Sequence, residues 1–169
     1  MPTQIGANRA GNYIGTPEAD TIYGAGGNDT LNGEGGNDIL TGAGGNDQFV
    51  FDTALPAAGV DTIIGFFIDD NFDNDKIVLD KTVFSVLETV AGNPLTAGDF
   101  SVINVAATSE VVVAGNSVNE IVYNSQTGVL FYNPNNNVAG FEPGGGRFAT
   151  VYSFLTDFSN TAELCSAKL

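Results

Sequence analysis

The chain has 169 residues, 43 % of them apolar, with 20 Asp and Glu against 5 Lys and Arg and no His. A net charge of −15 excludes a nucleic-acid binder, whose affinity rests on cationic side chains, and disfavours anionic membrane surfaces. The absence of His removes the usual general base and the commonest transition-metal ligand, and Cys165 stands alone, so no internal disulfide forms.

In chain order, residues 1–14 read as a lead-in that caps the first turn. Residues 15–50 then form four gapless nine-residue units, GTPEADTIY, GAGGNDTLN, GEGGNDILT and GAGGNDQFV. Each opens on Gly (15, 24, 33, 42), carries Asp at its sixth position (Asp20, Asp29, Asp38, Asp47) and a large apolar residue at its eighth (Ile22, Leu31, Leu40, Phe49). A fainter unit, GANRAGNYI, precedes them; Tyr13 holds the apolar phase and Gly11 sits where the Asp would be. The first six residues of a unit are too rich in Gly for a helix or strand interior. The last three read as a short strand with one inward side chain. A strand that short needs stacked copies, and the simplest arrangement is a coil with two units per turn. Units two apart then stack, so Asp20 faces Asp38 on one edge and Asp29 faces Asp47 on the other. Left bare, each pair is a like-charge repulsion. A cation between them turns the repulsion into a bond between turns, and Ca²⁺ suits because it takes about six to eight hard oxygen ligands from carboxylates and carbonyls.

These units resemble the G-G-x-G-x-D-x-U-x nonapeptide of the RTX (repeats-in-toxin) proteins, a Ca²⁺-binding β-roll repeat. Ala25, Glu34 and Ala43 replace the usual second glycine, and Thr16, Pro17, Glu18 and Ala19 replace most of the first loop, which makes its half of a site the weaker one. The resemblance implies at least two Ca²⁺. One site takes the main-chain oxygens of Gly15, Pro17, Glu34 and Gly36 with the carboxylates of Asp20 and Asp38. The other takes the main-chain oxygens of Gly24, Gly26, Ala43 and Gly45 with Asp29 and Asp47.

Phe49, Val50 and Phe51 make a wide apolar end to the repeats, suited to docking on a further layer, and Thr53–Gly59 reads as a connector. The stretch 61–80, DTIIGFFIDDNFDNDKIVLD, offers Ile63, Phe66, Ile68, Ile77 and Leu79 for burial around an acidic loop. It resembles the segment that comes after the repeats in RTX proteins, where further Ca²⁺ is common. By that resemblance Asp61 is the first candidate to complete a site with the Asp47 loop and Asp75 the second; a solvated acidic turn is the alternative. SVLETV reads equally as helix or strand. LTAGDFSVI (95–103) reads as turn and strand, SEVVVAG (109–115) as a strand, and 119–133 as a hairpin turning at SQTG. Asn133, Asn135, Asn136 and Asn137 stand where relatives carry carboxylates and are weaker ligands. Residues 142–154 read as a turn and a last strand, and the tail as a strand or short helix.

The expected fold is all-β: a parallel β-roll over 1–52, then an antiparallel β capping region over 53–169. The expected function is a calcium-binding RTX module that folds on binding Ca²⁺. By resemblance it belongs to a bacterial protein exported by type I secretion machinery with a C-terminal signal, hence extracellular. No ordinary N-terminal signal and no apolar run near the ~20 residues of a membrane span are present. A carbohydrate- or surface-binding module with a polysaccharide partner is the alternative. An enzyme is not expected: no HExxH, no G-x-S-x-G and no Ser/His pairing exist in the sequence.

Overall fold

The repeat strands stack in parallel, as a chain of identical short strands must if each is to find a partner for its backbone. In the computed structural model, which describes residues 3–55, 57–67, 73–135, 145–152 and 165–168, two sheets face each other across a thin core. The first contains β1 (Thr3–Ile5), β3 (Thr21–Gly26), β5 (Ile39–Gly44) and β7 (Asp61–Ile64), continued by β12 (Gly146–Tyr152), β11 (Val129–Tyr132), β10 (Ile121–Asn124) and β9 (Phe100–Ile103). The second contains β2 (Asn12–Thr16), β4 (Thr30–Glu34), β6 (Gln48–Phe51), β8 (Lys76–Asp80) and β13 (Cys165–Lys168). Alternate units thus alternate sheets, two units to a turn.

Register tracks the apolar phase. Ile22 pairs with Leu40 and Leu40 with Ile63 in one sheet; Tyr13 pairs with Leu31, Leu31 with Phe49 and Phe49 with Ile77 in the other. Apart from the half-buried Tyr13, all of these are wholly buried. Each such side chain contributes roughly 1.5–3 kcal/mol by leaving water, which a three-residue strand could not gain alone.

The roll is longer at both ends than the sequence suggests. Residues 1–14, expected to cap it, contribute β1 and β2, which pair in parallel with β3 and β4. The boundary expected at residue 52 is crossed without a break, because β7 and β8 continue the two stacks on β5 and β6. Those two extra rungs lack the opening glycine that announces the others, so their strands are less plain in the sequence.

Beyond the roll, β10 and β11 form the expected antiparallel hairpin, and β11 also runs antiparallel to β12. β12 then lies parallel to β7, which makes the cap an extension of the roll's own sheet. Phe51 meets Phe148 of β12 edge to face, with ring centres 5.1 Å apart, as the apolar end of the repeats leads one to expect. Ile63, Phe66, Ile77 and Leu79 are all buried in this core; Ile68 lies outside the described residues, as do Asn136 and Asn137.

The stretch expected as a strand at 109–115 is instead α1 (Glu110–Gly115). β-branched propensity is a weak preference, and here a buried carboxylate overrides it. Glu110 accepts hydrogen bonds from Asn124 Nδ2 (2.8 Å), Thr127 Oγ1 (2.6 Å) and Arg147 (2.6 Å). Ala114, one helical turn on, packs against Val122, Val129 and Phe131 on the outer face of β10 and β11. SVLETV adopts turns, with Leu87 and Thr89 buried. Asp99, in the LTAGDF turn, accepts from the Glu88 amide (2.7 Å) and the Thr96 hydroxyl (2.8 Å), and it also bonds Thr89. Those hydrogen bonds to its ionised form hold it below the usual carboxylate range despite burial.

Among the described residues, no element covers the outer face of the first sheet over β1, β3, β5, β7 and β12. Two rows of side chains cross it in register. One row is Thr3, Thr21, Ile39, Thr62 and Thr150; the other is Ile5, Tyr23, Thr41, Ile64 and Tyr152.

Candidate metal centre

Loops stack along both edges of the roll, and the sixth-position aspartates form a ladder on each. On one edge the Asp20 amide donates to Asp38 Oδ1 (2.8 Å) and the Asp38 amide to Asp61 Oδ1 (3.0 Å). On the other the Gly11 amide donates to Asp29 Oδ1 (2.8 Å), the Asp29 amide to Asp47 Oδ1 (2.8 Å) and the Asp47 amide to Asp75 Oδ1 (2.9 Å). Each amide therefore tethers the carboxylate one turn further along, and the side chains are 4 % exposed or less.

Both Asp61 and Asp75 occupy these ladders, but it is the second candidate, Asp75, and not the first, Asp61, that joins the Asp47 loop. Asp61 stacks on the Asp38 loop, and Asp75 on the Asp47 loop. The reason is the two-unit turn. The coil alternates edges, so Asp61, the next sixth-position Asp after Asp47, belongs to the opposite edge. The solvated-turn alternative fails for both residues, which are buried.

Asp29, Asp38 and Asp47 each use only one oxygen in this way, and Asp20 uses one within its own loop. Asp29 Oδ2, Asp38 Oδ2 and Asp47 Oδ2 are buried without a hydrogen-bond partner, and so is Asp20 Oδ1. Such orphaned anionic oxygens are expensive in a low-dielectric interior, and protonation responds. Burial raises Asp29 and Asp38 above the ordinary value, the facing Asp20 adding to the rise at Asp38. Burial, with neighbouring carboxylates adding, pushes Asp47 to about 6, Asp75 to about 7 and Asp61 to about 8. These sites call for positive charge.

The glycines that open the units make room for the carboxylates. A Cβ built on Gly33 or Gly42 would lie 2.1 Å from the Oδ2 of Asp38 or Asp47, and one on Gly24 would lie 2.4 Å from Asp29 Oδ2. The second and fourth positions instead need positive φ. Gly27, Gly36 and Gly45 have φ of 104°, 105° and 118°, and Ala25, Glu34 and Ala43 adopt 80°, 66° and 77° despite their side chains. The first loop takes another course. Thr16 and Glu18 lack positive φ, and the Thr16 amide (2.6 Å) and hydroxyl (3.0 Å) both donate to Asp20 Oδ2. Pro17 lies against Gly35 of the loop below, so the two loops still stack.

A third set of contacts is built from the fifth-position asparagines, which latch successive loops. The Asn46 amide donates to Asn28 Oδ1 (3.0 Å), the Asn74 amide to Asn46 Oδ1 (2.9 Å) and the Val60 amide to Asn37 Oδ1 (2.9 Å). Asp73 joins them by accepting from the Gly45 amide (2.7 Å). A signal for the extra rungs exists in the sequence: PAAGVDTII (56–64) and DNFDNDKIV (70–78) keep Asp sixth and Ile eighth, while lacking the opening Gly.

The geometry therefore presents, on each edge, two stacked loops with paired buried carboxylates and an open oxygen on each. Among the described residues no three acidic or thiol side chains converge, so a hard cation held here would need further oxygen ligands, which the stacked loop carbonyls are placed to share with water. Residues 14–49 match the model of the RTX calcium-binding nonapeptide repeat, in four copies. This segment is an RTX repeat array. No curated protein and no solved structure matches the chain. The RTX array is a calcium-binding β-roll, and its matched span stops short of the two further rungs that carry Asp61 and Asp75. Among the described residues no helix is long and apolar enough to cross a membrane.

Proposed function

We propose that this chain is a calcium-triggered folding module of an exported protein. The observation that carries the reading is the set of four partnerless buried carboxylate oxygens, two to an edge. Asp20 and Asp38, with main-chain oxygens of Gly15, Pro17, Glu34 and Gly36, would hold one ion. Asp29 and Asp47, with those of Gly24, Gly26, Ala43 and Gly45, would hold the other. Calcium supplies the charge that lets the paired aspartates remain ionised between stacked turns, and its binding free energy becomes folding free energy.

Extracellular calcium modules bind at roughly 10⁻⁴–10⁻³ M. At cytosolic calcium the bare ladders repel and the array stays open enough to thread through a type I secretion channel; outside, calcium closes it. The chain acts by binding and not by catalysis, in keeping with its lack of His. Far-UV circular dichroism tests this reading. Chelated protein should gain β signal sharply on addition of millimolar Ca²⁺, and a chelated protein that already shows the full signal would contradict it.

A further inference from the structure

Among the described residues the outer face of the first sheet is open, and it lies apart from the cation ladders. Ten positions in two registered rows cross β1, β3, β5, β7 and β12, and every one is Thr, Ile or Tyr. A chain with 20 acidic residues and a net charge of −15 places no charge there. The apolar members are well exposed: Ile5 75 %, Tyr152 59 %, Tyr23 42 % and Ile64 42 %. Beyond β12 the same sheet is covered by α1, whose Ala114 packs on Val122, Val129 and Phe131. The open strip thus ends at a step, marked by the Glu110–Arg147 ion pair.

We propose that this strip binds a neutral polysaccharide laid across the strands, along the roll axis. Three features select that occupant. The strip is uncharged while the chain is strongly acidic, which disfavours an anionic polymer or an anionic membrane and gives a polycation nothing to pair with on the strip itself. A second copy would bring its own −15 to the contact. Spacing supports the same choice: parallel strands repeat at about 4.8 Å, close to the length of one hexopyranose ring at roughly 5 Å. Successive strands therefore offer each sugar the same chemistry. Tyr23 and Tyr152 lie three strand steps apart, about 14 Å, and can stack on the apolar faces of rings at two points. Threonine hydroxyls between and beside them serve the sugar hydroxyls.

The test uses the full chain in calcium, with affinity electrophoresis through gels containing hydroxyethylcellulose, a neutral mannan or alginate. Retardation by at least one neutral polymer and not by alginate is expected. Tyr23→Ala and Tyr152→Ala, both at exposed positions, should each weaken that retardation at least tenfold while leaving the circular dichroism and calcium titration unchanged. Retardation by none of the neutral polymers, or equal retardation of the tyrosine variants, overturns the proposal. Sedimentation that shows a dimer lost on Tyr23→Lys also overturns it and assigns the strip to a second copy. Failure of calcium to fold the chain would appear in the dichroism control and tells against the cation reading instead.

Discussion

Gly42 and Gly44 lie two residues apart at the end of β5 and should respond to alanine in opposite ways. A Cβ on Gly42 would sit 2.1 Å from Asp47 Oδ2 and 2.6 Å from its carboxyl carbon, whereas one on Gly44 meets nothing within 4 Å. Asp47 is fully buried and its other oxygen is tethered to the Asp29 amide at 2.8 Å. It cannot step aside without losing that charge-assisted bond, worth about 1.5–3 kcal/mol. Overpacking adds roughly 1–3 kcal/mol. Gly42→Ala should therefore cost about 3–5 kcal/mol in calcium, a fall of around 10 °C in melting temperature for a chain of this size. It should also remove one ion from the calcium count. Gly44→Ala, free of clash and without positive φ, should be neutral or gain up to about 1 kcal/mol by restricting the unfolded chain. Thermal melts and calorimetric titrations of the pair in calcium provide the readout. Two variants that melt together would refute the claim that the opening glycine exists to admit the carboxylate.

The raised carboxyls of Asp47, Asp61 and Asp75 set the pH dependence without metal. An acid whose folded pKa lies above its unfolded one stabilises most below the ordinary value, and that stability drains as pH rises through about 6 to 8. Chelated protein should thus melt higher at pH 5 than at pH 8.5, with excess calcium flattening the difference; a chelated protein more stable at pH 8.5 would refute the assignment. Asn46→Ala removes the acceptor for the Asn74 amide and should lower stability by about 1 kcal/mol with the calcium count unchanged, read by denaturant melts and titration. Glu110→Gln leaves Arg147 without its ion-pair partner and should destabilise by about 1–3 kcal/mol, again without altering calcium binding.

The parts legible in the sequence are those written in repeats. Asp at every sixth position and one apolar residue at every eighth are enough to give two-unit turns, and the 18-residue offset between Asp20 and Asp38 or Asp29 and Asp47 appears directly as a hydrogen bond. Less legible is structure kept by backbone contacts after the side-chain pattern has decayed. The rung ending at Asp61 holds its place through Gly59, whose φ is 73°, and through the bond from Val60 to Asn37, with Val standing where the repeats have Asn. Asp61 and Asp75 stand out in the sequence as acids near the junction, but their turns do not, because 14 residues, and not nine, separate them from each other and Asp61 from Asp47. The helix at Glu110 shows the converse. Local valines argue for a strand, and a long-range partner at Arg147 decides otherwise.

The clearest test of calcium clamping between turns is a calorimetric count of Ca²⁺ per chain for the wild type, Asp38→Ala and Asp47→Ala. Two or more ions are expected for the wild type, with each variant losing an ion from its own edge while the opposite edge still fills. A wild type that takes up no calcium, or variants that bind as many ions as the parent, would contradict it.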